Sequence, residues 1–164
     1  MVQARVVKKD PEAINFLGER YSHGGDLWLQ KDARKAVALW TEAAELGSLK
    51  ALYNLGVAYE RGLGVQGDEK KSTEFYKKAA MQGHVASRHN LGCFEWDKGN
   101  YDCALRHLLI SAKMGHGKSV ENIKKMFMAG FITKEQYAEA LKGYQDAVED
   151  MKSNDRDEAK RLRN

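Results

Sequence analysis

A six-residue stretch recurs three times in this chain, as Ala13-Ile14-Asn15-Phe16-Leu17-Gly18, Ala51-Leu52-Tyr53-Asn54-Leu55-Gly56 and Ser87-Arg88-His89-Asn90-Leu91-Gly92. Each copy runs on to a second shared mark ending in glycine: Glu42-Ala43-Ala44-Glu45-Leu46-Gly47, Lys78-Ala79-Ala80-Met81-Gln82-Gly83 and Ile110-Ser111-Ala112-Lys113-Met114-Gly115. The Leu-Gly marks lie 38 and then 36 residues apart, and the terminal glycines 36 and then 32, which is the period of helix-pair repeat arrays. A unit of that size cannot bury its own apolar face and must stack on its neighbours. The pattern therefore predicts an all-α solenoid, a curved stack of helical hairpins with a concave surface.

Composition agrees with this. At 164 residues and 43% apolar content the chain can form one continuous core, and three repeats are about the minimum for a stable array. A single proline and few β-branched residues argue against a sheet. The first ten residues hold basic side chains but no apolar run of signal-peptide length, and no stretch approaches the roughly 18 apolar residues of a membrane span. An intracellular, cytoplasmic and monomeric protein is the expectation. Cys93 and Cys103 show no ligand spacing and are too few for a disulfide scaffold, so they are expected as reduced thiols.

The second repeat, residues 51–86, is the most regular. Leu52, Leu55 and Tyr59 recur at helical spacing, and Gly56 is expected to let the first helices of adjacent repeats approach closely. Gly62-Leu63-Gly64-Val65-Gln66-Gly67 ends the helix, with Val65 as an apolar plug. Asp68 is placed to cap the next helix, whose buried side is Phe75, Tyr76, Ala79 and Ala80 before Gly83 stops it.

The outer repeats vary this plan. In repeat 1, residues 13–50, Asp10-Pro11-Glu12 reads as N-cap, N1 proline and early acid, and the connector carries Leu27-Trp28-Leu29. Repeat 3, residues 87–117, turns on Lys98-Gly99-Asn100 alone. Residues 118–152 read as a C-terminal capping helix pair, with helices at about 118–129 and 134–152, and residues 153–164 as a polar tail. Thr133-Lys134-Glu135-Gln136 has the form of a capping box, and Tyr137, Leu141, Tyr144, Val148 and Met151 make one apolar stripe.

Ala-x-x-x-Leu-Gly-x-x-Tyr, Gly-x-Gly-Val, Asp68, Lys71, the pair Phe75 and Tyr76, Lys78-Ala79-Ala80 and Gly83 together resemble the Sel-1-like repeat, a relative of the tetratricopeptide repeat. The likeness is closest over residues 51–86. It is degenerate over 13–50, where Leu39-Trp40 fills the aromatic-pair positions, and partial over 87–119, where Glu95 replaces the tyrosine. The resemblance implies a right-handed superhelix of paired helices in a family of adaptors and assembly scaffolds, without a common reaction or ligand. It also implies that first helices line the concave face, which points to Asn15, Glu19, Lys50, Tyr53, Asn54, Val57, Glu60, His89, Asn90, Cys93 and Trp96 as partner-binding residues. The basic carboxylate clamp of some tetratricopeptide domains is not reproduced, because the matching positions hold Asn15, Glu19, Ala86 and Asn90, and only Asn54 fits.

Enzyme chemistry finds little support. His84 and His116 both follow a repeat-terminal glycine, so they are one structural position met twice, and His107 stands where the other repeats have Leu39 and Phe75. No zinc-protease helix motif, nucleophile elbow or P-loop occurs, and no metal or cofactor is implied. The net charge of +4 comes from lysines and arginines interleaved with acids, without aromatic interleaving, which is the pattern of a solvated surface more than of a nucleic-acid platform. The expected function is a protein-interaction scaffold that binds a peptide or protein on its concave face. The alternatives are a terminal piece of a longer array and, further off, a nucleic-acid-binding module or enzyme.

Overall fold

The computed structural model describes residues 5–6, 8–24 and 30–161. The Leu27-Trp28-Leu29 run lies outside the described residues. Eight helices of twelve or more residues follow one another: α1 Pro11–His23, α2 Ala33–Glu45, α3 Leu49–Arg61, α4 Glu69–Met81, α5 Val85–Asp97, α6 Tyr101–Lys113, α7 Gly117–Met128 and α8 Lys134–Arg161. No strand occurs among the described residues. The chain divides into two compact units, residues 1–87 and 88–164, with the division inside α5.

Most helix starts are written in local chemistry, while Asn100 and His116, which precede α6 and α7, make no side-chain cap bond. The carboxylate of Asp10 accepts from the backbone N–H groups of Glu12 and Ala13, with Pro11 at the position where its missing N–H costs nothing. Asp32 caps α2 through Lys35 N–H, Ser48 caps α3 through Ala51 N–H, and Asp68 caps α4 through Lys71 N–H. At α8 the capping box is reciprocal: Gln136 N–H donates to Thr133 Oγ1 at 3.2 Å and Thr133 N–H donates to Gln136 Oε1 at 2.9 Å.

In the first unit α1 packs on α2 and α3 on α4, and α2 also packs on α3. Ile14, Ala36, Val37, Trp40, Ala43, Ala51, Leu55 and Ala58 form the core, each no more than 9% exposed. Tyr76, Ala79 and Ala80 are buried on α4 as their spacing predicts, and Phe75 is half-buried, stacked on Tyr59 with ring centroids 5.6 Å apart. In the second unit Leu105, Leu108, Ala112, Ile123, Met126, Ile132 and Ala140 pack together from α6, α7, the turn after α7, and α8.

Two expectations are corrected. The helical glycines make room inside each hairpin, not between first helices of adjacent repeats. A Cβ on Gly56 would stand 2.5 Å from the Tyr76 ring, one on Gly18 2.6 Å from Trp40 Nε1, and one on Gly92 2.8 Å from Leu108 Cγ. The large side chain of the second helix thus lies directly on the backbone of the first. Ser72 Oγ fastens the same contact by donating to the Gly56 carbonyl at 2.8 Å.

The second correction concerns α8, which does not end near residue 152 but continues to Arg161. No glycine or proline follows Gly143 to stop it. Of the stripe expected to bury, Tyr137, Leu141, Tyr144 and Val148 are half-buried and Met151 is 46% exposed, while Ala140 is the position sealed completely. Tyr137 stacks on Phe127 at 5.1 Å, so the helix does pack on α7 along this edge.

Candidate functional site

The eleven residues singled out from the sequence fall in both units, and the structure joins many of them through hydrogen bonds one helix turn or one repeat apart. In the first unit Asn15 is 2% exposed, and both ends of its amide are bonded. Its Nδ2 donates to Glu19 Oε1 at 3.1 Å, and its Oδ1 accepts from Asn54 Nδ2 at 2.9 Å. Asn54 Nδ2 also lies 3.3 Å from Glu19 Oε1. Three predicted residues from α1 and α3 therefore form one network, in which the half-buried Glu19 carboxylate is held by two amides. A buried amide needs such partners, because leaving one unpaired costs about 1–3 kcal/mol.

Tyr53 and Glu60 are linked through a residue the sequence assigned only to the core. The Tyr53 ring lies 5.9 Å from that of Tyr76 and 5.0 Å from that of His84, and Tyr76 Oη donates to Glu60 Oε2 at 2.6 Å. Lys50 is exposed and stands 3.9 Å from Glu12 Oε2, whose other oxygen accepts from Ser48 Oγ at 2.8 Å. Val57 is half-buried on the same helix.

In the second unit His89, Asn90, Cys93 and Trp96 are all half-buried on α5. His89 Nε2 lies 3.5 Å from Cys93 Sγ, and Asn122 Nδ2 of α7 donates to the same sulfur at 3.4 Å. The other ring nitrogen, Nδ1, lies 2.9 Å from Ser119 Oγ, and Ser119 Oγ is also 3.1 Å from His116 Nδ1. The two imidazoles face each other at 4.7 Å. Burial, then the nearby His116 and Lys118, push the His89 pKa down to about 4. Burial and then Lys118 lower that of His116. Trp96 meets Tyr101 and Phe131 at 4.8 and 5.0 Å. Neither cysteine forms a disulfide. No group of three metal-ligating side chains suited to a metal ion occurs among the described residues.

The sequence reading missed Glu12, Ser48, Ser119 and Asn122. The signal was present in the repeat register. Asn54 stands six residues after the α3 N-cap Ser48, and Asn122 six after the α7 N-cap His116. Asn15 and His89 both stand three before the hairpin glycine, and Glu19 and Cys93 one after it. The same three positions thus meet twice, as Asn15, Glu19 and Asn54 in one unit and as His89, Cys93 and Asn122 in the other.

The model of the Sel1 repeat matches residues 11–48 and 49–84. Residues 11–84 thus match the Sel1 repeat twice, and the chain is similar to Sel1-repeat proteins. Its fold is similar to that of a protective antigen of uropathogenic Escherichia coli strains displaying an SLR fold, with a TM-score of 0.74 and 27% identity over 91% of this chain and 32% of the antigen. Protein SHC1 of Saccharomyces cerevisiae is 31% identical over 86 residues, 52% of this chain. The ERAD-associated E3 ubiquitin-protein ligase component HRD3 of Candida glabrata is 43% identical over 79 residues, 43% of this chain. These matches span 16% of SHC1 and 10% of HRD3. No described helix is long and apolar enough to cross a membrane.

Proposed function

We propose that this Sel1-repeat chain is a protein-interaction module that holds a peptide or protein segment on the exposed side of its first helices. The observation that carries the reading is the accessible face of α3, where exposed Lys50 and Glu60 flank half-buried Tyr53 and Val57. The Asn15, Glu19 and Asn54 network beneath it ties α3 to α1 and holds that face in place before any partner arrives, which lowers the entropy cost of binding. Around it Lys50, Tyr53, Val57 and Glu60 add one cation, one ring, one apolar contact and a second carboxylate. In the second unit Asn90 and Trp96 are half-buried on α5, at the repeat positions that Asn54 and Glu60 hold on α3. Among relatives, HRD3 is named a component of a larger ligase, which suits a module that joins other chains.

The test reverses charge on the exposed rim, with thermal melting to check that loss of the Glu60 acceptor for Tyr76 Oη leaves the fold intact. The chain and its Lys50→Glu, Glu60→Lys double variant are immobilised, and captured proteins are quantified by mass spectrometry beside Lys77→Glu, which changes an exposed residue of α4. The expected result is a set of proteins bound by the parent and by Lys77→Glu but reduced about tenfold or more by the double variant, as loss of two rim charge contacts allows. Equal capture by all three would place binding elsewhere and overturn the assignment of this face.

A further inference from the structure

The first unit carries a groove that shares no residue with the α3 face. Two adjoining cavities of about 670 and 400 Å³ meet where the connector after α3 crosses the start of α2, and Arg34 and Gly64 line both. Gly64 makes the crossing possible. Its φ is +73°, and a Cβ there would strike the Ala33 carbonyl oxygen, so the connector backbone lies directly against the helix start.

Charge sets this groove apart. Lys31, Arg34 and Lys35 all line the first cavity, and Arg34 also lines the second. Among the described lining residues the one acid is Asp32, whose Oδ1 already accepts from Lys35 N–H at 3.0 Å. The Lys31 and Arg34 side chains have no ion-pair or hydrogen-bond partner among the described residues. Three like charges in one concavity repel one another, and a ligand that brings negative charge removes that cost.

The lysine is also held in place. Lys35 Nζ lies 4.3 Å from the centre of the Tyr21 ring, and the Tyr21 carbonyl accepts from Asp32 N–H at 2.9 Å, which ties α1 to the start of α2. The next hairpin repeats the device: Lys71 Nζ lies 5.3 Å from the centre of the Tyr59 ring, and Lys70 stands at the position of Arg34. The connector that touches α2 at Gly64 reaches the α4 cap at Asp68 four residues later, so this second basic step follows closely on the first. Repeat 3 has Glu95, Asp102 and Cys103 at the matching positions and lacks the device.

We infer that the groove is a docking site for an acidic segment of a partner protein, whose carboxylates pair with Lys31, Arg34 and Lys35. Arg34, on the boundary of both cavities, offers a planar fork that a carboxylate meets through two parallel bonds. Half-buried Val65 and exposed Gln66 give the second cavity an apolar contact and an amide for the residues between the acids. The tyrosines favour a peptide over a nucleic acid. Single strands bind by stacking bases on open aromatic faces, but Lys35 covers Tyr21, and both Lys71 and Phe75 lie over the Tyr59 ring.

The probe is a fluorescein-labelled peptide of alternating glutamate and alanine, titrated with the full chain and read by fluorescence anisotropy beside the same peptide with glutamine for glutamate. The glutamate peptide is expected to bind at least about tenfold more tightly, and Arg34→Glu with Lys35→Glu should weaken it about tenfold or more. Lys77→Glu with Lys78→Glu makes the same change of net charge at two exposed lysines of α4 outside the groove, and should weaken it by less than about threefold. Lys50→Glu with Glu60→Lys should leave this binding unchanged, so failure here is distinguishable from failure of the α3 face. On the parent chain, where no variant has to fold, the peptide should slow acetylation of Lys31 and Lys35 by N-hydroxysuccinimide acetate but not that of Lys77. Equal losses in the two charge-reversed pairs, acetylation of Lys31 and Lys35 at the unprotected rate, or tighter binding of an oligothymidylate of the same charge would each overturn the assignment.

Discussion

The two junctions place the same three positions together with opposite chemistry. In the first unit an amide, a carboxylate and a second amide satisfy one another with conventional N–H···O bonds of 2.9 to 3.3 Å. In the second unit an imidazole and a thiol stand in place of the first two, and the third amide ends on sulfur at 3.4 Å. The backbone is the same device in both, a first helix whose early asparagine reaches back to the preceding first helix. In the second unit the His89 imidazole stands between a thiol and a hydroxyl, and burial disfavours its charged form. A repeat therefore sets which side chains meet, and substitution within the repeat decides what chemistry the meeting holds.

The comparison rests on both units sharing one hairpin design, and the largest expected effect tests that design. Gly56→Leu would drive a side chain into the ring of Tyr76, which is fully buried and tied to Glu60. Overpacking of this kind costs about 1–3 kcal/mol, and a rigid ring bonded at its far end argues for the upper part of that range. Gly92→Leu meets Leu108 Cγ at 2.8 Å, a branched chain with other rotamers, and should cost less. Thermal melting followed by circular dichroism reads both. If Gly56→Leu melts with the parent, the hairpin contact is not the tight one described.

Much of this was legible in the sequence because helix starts and stops are local. Asp10, Asp68 and Thr133 announce their helices within three residues, and the caps form as those spacings predict. The Sel1 character of residues 51–84 was legible for the same reason, since a repeat displays its own register. The direction of the glycine contact was not, because a small residue says that something comes close without saying what. The end of α8 was missed because apolar spacing marks where a helix packs, whereas the helix itself continues until a breaker stops it. The network of Asn15, Glu19 and Asn54 spans 35 to 39 residues of chain, so no window of sequence contains it. Those three residues were named as surface contacts, yet Asn15 is buried and all three amide and carboxylate groups already hold one another.

The next effect separates the junctions directly. Asn54→Leu removes the partner of the Asn15 carbonyl oxygen, a buried acceptor, and should destabilise the chain by about 1–3 kcal/mol. Asn122→Leu removes a donor to sulfur, a weak acceptor, and should cost less than about 1 kcal/mol. Urea unfolding of the two variants beside the parent makes the measurement. Equal losses, or a larger one for Asn122→Leu, would show that the amide ladder of the first unit is not the stronger of the two.

The smallest effect is a matter of pH. The folded chain holds His89 at about 4, and the groups that set this are its burial, the facing ring of His116 and the Lys118 ammonium, with Cys93 and Ser119 as neutral hydrogen-bond partners. In the unfolded chain an imidazole titrates near 6.5, so between about pH 6.5 and 4 the unfolded state binds the additional proton. The contribution of the neutral, folded form is thus complete above about pH 6.5 and declines as pH falls towards 4. His84 and His116 are lowered as well, first by burial, and add slope of the same sign. In the first unit Asn15 occupies the position of His89 and has nothing to titrate. His89→Tyr, which replaces the imidazole by the ring already tolerated at Tyr53, should therefore leave stability at pH 8 little changed and flatten part of its fall between pH 6.5 and 4. Midpoints of urea unfolding at half-unit pH steps give both slopes. If the variant loses stability with acid as steeply as the parent, His89 is not held neutral by its surroundings, and the second junction differs from the first in shape alone.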